Sequence, residues 1–140
     1  MKKIVPFLLI LSLWMIGCSD DDNTGNFIGI WIASSELVEN CQEEARNGTT
    51  QLECDDVSCY QLELNADNTY SFQRGLAVER GNWSGGSSLR LCMDEEGEIV
   101  CETFGVQFSG ISLILTADST SSGCISTLFF NPEVPTDTIQ

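Results

Sequence analysis

The 140-residue sequence contains no histidine, and its only lysines are Lys2 and Lys3. Without an imidazole base there is no Ser-His or Cys-His pair to activate a nucleophile. Beyond residue 3 no amine is left to form a Schiff base. Neither route to catalysis is open, so no enzyme activity is expected. Positive charge of any kind is scarce. Arg46, Arg74, Arg80 and Arg90 join the two lysines against 21 acids, for a net charge of −15. That field repels phosphates, so no nucleic-acid partner is expected. The seven cysteines include no Cys-x-x-Cys pair, the closest two being Cys54 and Cys59. With no histidine to complete a ligand set, no metal site is expected, and no cofactor is implied. Long hydrophobic runs are missing as well. The longest apolar stretch, residues 4–16, falls short of the roughly 20 residues a membrane-spanning helix needs.

That short stretch organises the N-terminus. Lys2 and Lys3 precede it, and Gly17 and Cys18 follow it. A positive start, a short apolar run and a small residue before a cut make an export signal. The cysteine at the cut resembles the lipobox of bacterial lipoproteins, with Met15 in the usual leucine position. The next residues, Ser19, Asp20, Asp21 and Asp22, resemble the export tag of Bacteroidetes-type surface lipoproteins. The resemblance implies that residues 1–17 are removed and that Cys18 carries the acyl chains. It further implies an outer-membrane anchor that leaves the protein facing the cell exterior. Removal of 17 of the 140 residues leaves 123, with four positive charges against 21 negative, a net −17. That length suits a single domain.

Six cysteines remain: Cys41, Cys54, Cys59, Cys92, Cys101 and Cys124. An even number in a small exported domain reads as a disulfide framework. Residues 18–26 are polar and acidic and read as a tether. A strand is expected over 27–33, where isoleucines surround Trp31. Residues 34–58 read as a long loop pinned by cysteines, with a short helix over 36–45. From Cys59 onward the chain alternates apolar and polar residues, the pattern of half-buried strands. Strands are expected over 60–64, 70–72, 76–83, 89–93, 99–108, 112–116 and 124–130, followed by a loosely ordered tail, 131–140. One cysteine pair follows from register. Setting Met93 opposite Val100 places Cys92 directly across from Cys101, close enough to bond. The pairing of Cys41, Cys54, Cys59 and Cys124 stays open.

Eight short strands joined mostly by hairpin-length loops make a meander, and a meander of eight usually closes on itself to remove its edges. Gly29 and Trp31, the stretch 62–72, Gly81-Asn82-Trp83-Ser84 and Leu89-Arg90-Leu91 resemble the lipocalin-like domains of bacterial lipoproteins. The resemblance runs over most of residues 29–130. It implies an all-β, eight-stranded antiparallel up-and-down barrel over 27–130, with an open end that takes an apolar or amphipathic ligand. A barrel of this size can also have its interior filled, here by Trp31, Tyr60, Phe72, Trp83 and Phe104.

Candidate contacts follow from strand parity. Glu102 shares the inward parity of Val100, Phe104 and Val106, where a charge is costly without a partner or water. Arg80 shares the parity of Leu76 and Val78, which makes it a possible partner. Alternatively, both reach water where strand ends splay. Arg80, Glu102, Trp31 and Trp83 are therefore the ligand candidates. The acids at Asp55-Asp56 and over 94–98 read as solvated turns, since their spacing is not that of a calcium loop. Two function classes remain. One is a binding module holding a small apolar ligand in an open barrel. The other is a filled barrel that meets a surface protein partner through its outer face or the 34–58 loop.

Overall fold

A computed structural model of the chain describes residues 26–55, 59–119 and 123–133. The lipidation and export residues, Cys18 and Ser19 to Asp22, lie outside them. The structure is all-β: β1 (Gly29–Glu39), β2 (Gly48–Gln51), β3 (Tyr60–Leu64), β4 (Thr69–Arg74), β5 (Ala77–Ser84), β6 (Ser88–Glu95), β7 (Glu98–Ser109), β8 (Ser112–Ser119) and β9 (Cys124–Pro132). From β3 to β9 each strand pairs antiparallel with the next, and β9 returns to β1. Eight strands, β1 and β3 to β9, thus form a closed up-and-down barrel. β2 is a short addition beside β1.

The hairpins are set by local turn chemistry. Between β3 and β4, Asn68 takes a left-handed φ of 65°, and the Asp67 carboxylate accepts from the Thr69 backbone N–H at 3.0 Å. Between β6 and β7, Glu96 and Gly97 both have positive φ. This is the turn whose twist suits a two-residue hairpin loop. It places Met93 opposite Val100 and Cys92 opposite Cys101, and those two cysteines are bonded. The other bonds are Cys41–Cys124 and Cys54–Cys59.

One end of the barrel is closed by aromatic packing. Phe27 sits under it, with its ring centroid 6.0 Å from Trp83 and 5.3 Å from Phe108. The Trp31 indole N–H donates to the Phe27 carbonyl at 2.7 Å, and the Trp83 indole N–H to the Asn65 carbonyl at 2.9 Å. Both buried indoles are therefore satisfied. Gly29 links Phe27 to β1 at a φ of 144°, which L side chains rarely adopt. The Gly-x-Trp spacing thus has a local cause: glycine makes the bend that lets Phe27 tuck beneath Trp31. Above this floor Leu62, Leu64, Phe72, Leu89, Leu113 and Phe130 are fully or almost fully buried. Each contributes about 1.5–3 kcal/mol relative to exposure.

Three expectations from sequence are revised. The helix over 36–45 is absent. β1 instead runs to Glu39, past a bulge between Ala33 and Ser35, because β9 pairs along almost its whole length. Beyond Glu39, residues 40–51 fold back through a 3-10 turn (Glu44–Arg46) to pair β2 with β1. β9 also continues through Asn131 and Pro132, and Glu133 N–H still bonds the Ile30 carbonyl at 2.8 Å.

One seam of the barrel is only half closed. β5 pairs with β6 over Asn82, Trp83 and Ser84 alone, whereas β4 and β5 pair at six positions. Where the seam parts, a Cβ on Gly81 would collide with the Cys92 carbonyl. Gly81→Ala should therefore push β5 off β6 and destabilise the fold by about 1–3 kcal/mol. An unchanged urea midpoint would show that the strands do not approach this closely.

Candidate functional site

The end opposite the aromatic floor is open. Side chains on its inward positions are smaller or polar, which leaves space there. β1 contributes Glu36 and Val38, β8 Ala117 and β9 Cys124 and Ser126, above a base of Phe104, Leu115 and Leu128. Together with Tyr60, Arg74, Glu102 and, from the 3-10 turn, Arg46, they line a cavity of about 390 Å³. A second chamber of about 210 Å³ lies behind the parted β5–β6 seam, lined by Tyr70, Glu79, Leu91, Met93, Val100 and Glu102. Glu102 belongs to both. The barrel is thus filled in one half and hollow in the other. Trp31, Phe72 and Trp83 are packed in the core, while Tyr60 and Phe104 line the cavity.

Glu102 faces inward, opposite Leu91. Its partner is not Arg80. The β4–β5 hairpin turns at Gly75, with a φ of 65°, and sets Arg74 opposite Ala77 and Phe72 opposite Glu79. That register puts Glu79 inside and Arg80 outside, opposite Ser71, and leaves Leu76 at 82% exposure in the turn. The parity assigned from Leu76 was wrong by one residue. Counting back in twos from the buried Trp83 gives Gly81, Glu79 and Ala77, so the signal for Glu79 was present. Trp31 and Trp83 line neither of these two chambers, because they belong to the floor; Trp31 borders a separate cavity of about 370 Å³ at that end, with Phe108 and Ile111.

Arg74 is the inward cation that sequence reading missed. Its Nη2 donates to Glu102 Oε2 at 2.6 Å, and its Nε lies 3.8 Å from Glu79 Oε1. Its guanidinium also stacks 4.3 Å above the centre of the Phe72 ring. Because these side chains are about a third or more exposed, each ion pair contributes at most about 1 kcal/mol. Nε is buried without a hydrogen-bond partner. Higher on the wall, Ser126 Oγ donates to Glu36 Oε1 at 2.6 Å.

Tyr70 stands beside this group and is 4% exposed. Burial pushes its phenol above the ordinary value of 10.0, and the charge of Glu79 adds to the push. Arg74 opposes it, and Glu102 makes a smaller contribution. The hydroxyl therefore stays protonated at neutral pH. Among the described residues no group of three or more acidic or cysteine side chains is placed to hold a metal ion. The arrangement offers an apolar base, a polar wall and a mouth to solvent, which is the chemistry of a binding pocket. No protein-family model matches the chain, and no curated protein is similar to it.

Proposed function

We propose that the protein is a non-enzymatic binding module that takes a small amphipathic ligand through the open end of its barrel. One observation carries this reading: the cavity of about 390 Å³ has the size and mixed lining of small-molecule sites, which span roughly 300–1,000 Å³. The absence of histidine and the loss of both lysines on processing argue against a catalytic use of the same pocket. Residues 17–22 support a lipid anchor at Cys18 and display at the outer surface of the outer membrane, as a lipocalin-like surface lipoprotein. A single acyl chain holds a protein only weakly, so the anchor needs more than one.

Two measurements test the parts separately. Replacing Cys18 with Ala should leave the protein unprocessed or move it from the membrane fraction to the soluble one; a variant of normal size that stays in the membrane contradicts the anchor. For the pocket, the neutral probe N-phenyl-1-naphthylamine should fluoresce on binding to the wild-type barrel. Ala117→Trp fills the mouth from an inward position and should weaken that binding about tenfold or more, the equivalent of 1.4 kcal/mol. Equal binding by both proteins would place the probe elsewhere and defeat the reading.

A further inference from the structure

The polar groups of the cavity are unbalanced in a way that selects among amphipathic ligands. Glu79 and Glu102 face a single guanidinium. Arg74 donates one hydrogen bond to Glu102, at 2.6 Å, and approaches Glu79 only to 3.8 Å, beyond hydrogen-bond reach. The second oxygen of each carboxylate meets no hydrogen-bond donor among the described residues. Tyr70 adds a third vacant acceptor. It is more than nine-tenths buried, it lines the same 210 Å³ chamber, and its hydroxyl has no hydrogen-bond partner among the described residues. Glu79 and Glu102 are about a third to nearly half exposed, so a ligand entering the chamber can reach their free oxygens. Here acceptors on β4, β5 and β7 converge on one space without bonding one another.

We infer that this chamber binds the primary ammonium head of an amphipathic amine, with the apolar body lying along Phe104, Leu115 and Leu128 in the larger cavity. An ammonium has three donors and no acceptor, which matches two carboxylate oxygens and a hydroxyl. Leu91 and Met93 give the chamber an apolar side, and the carboxylates opposite supply charge-assisted hydrogen bonds to an ammonium. An anionic head fits poorly. It would sit beside both Glu79 and Glu102, with Glu36 on the wall of the larger cavity, while the cation between them, Arg74, already donates to Glu102 at 2.6 Å. A neutral head would leave both carboxylates under-paired. The net charge of the mature chain, −17, also draws cations to the mouth and repels anions.

The inference rests on the open-barrel reading, and three ligands of equal chain length separate the two. Octylamine, octanol and octanoate are titrated calorimetrically into the wild-type protein at neutral pH, with the Ala117→Trp variant as a control for binding to the acidic exterior. The expected result is octylamine binding about tenfold or more tighter than octanol, the scale of one charge-assisted hydrogen bond, and octanoate the weakest. Ala117→Trp should abolish this difference. The double variant Glu79→Gln/Glu102→Gln should bring octylamine to the level of octanol, and Tyr70→Phe should weaken octylamine alone by a few-fold. Binding of N-phenyl-1-naphthylamine by the Glu79→Gln/Glu102→Gln and Tyr70→Phe variants reports that their barrels are intact, and a urea midpoint near that of the wild type reports the same for Ala117→Trp. Octanol matching octylamine, octanoate exceeding it, or a preference that survives in Ala117→Trp or the double variant overturns the inference while the pocket stands. If neither the probe nor any of the three binds, both readings fall.

Discussion

The Arg74 guanidinium is the constraint that ties together three strands bordering the open half of the barrel. It starts on β4, meets Glu79 on β5 and crosses the interior to Glu102 on β7. Between the last two lies the seam where β5 and β6 stop pairing after Asn82 and Cys92. The backbone ladder that joins neighbouring strands elsewhere is missing at that point, and a side chain spans the gap. Stacking on Phe72 holds the guanidinium over the filled core, so the charge marks the boundary between packed floor and hollow mouth. A charge placed lower would lose its water; one placed higher would lose its partners.

The two halves are stabilised by different means. Large apolar side chains and two satisfied indoles hold the floor. The mouth has no comparable core, and the disulfides lie in that half. Cys41–Cys124 joins the end of β1 to the start of β9, Cys54–Cys59 clips the segment after β2 to β3, and Cys92–Cys101 staples the β6–β7 hairpin. A cross-link across a long stretch of chain, such as the 83 residues separating Cys41 from Cys124, removes the most freedom from the unfolded chain. Its contribution is on the order of 4 kcal/mol in the chain-entropy account. A pocket can stay open at that end because packing is not what holds its rim.

Much of this was legible in the sequence where local chemistry decides structure. The Glu96-Gly97 turn sets the β6–β7 register within a few residues, so the Cys92–Cys101 pairing followed from counting. Alternation over residues 60–64 and 89–93 gave the inward faces of those strands, and closure followed from the number of strands. Two things were hidden. The extension of β1 through Glu39 depends on β9, some 90 residues later, and no local pattern over residues 34–39 announces it. The inward face of β5 was misassigned because Leu76 is apolar yet lies in the turn, while Glu79 is charged yet faces the cavity. Hydrophobicity is a poor guide to facing where a strand lines a polar cavity, and Arg74, Glu79 and Tyr70 were missed for that reason.

The direct test of the ionic tie is a double-mutant cycle on stability. Arg74→Met, Glu102→Gln and the combined variant are unfolded in urea with the disulfides intact, and the coupling energy is taken from the four values. A tie across the parted seam predicts a coupling of about 0.5–1 kcal/mol in favour of the wild-type pair, reduced at high salt. Strictly additive effects, with no coupling at low salt, would contradict it.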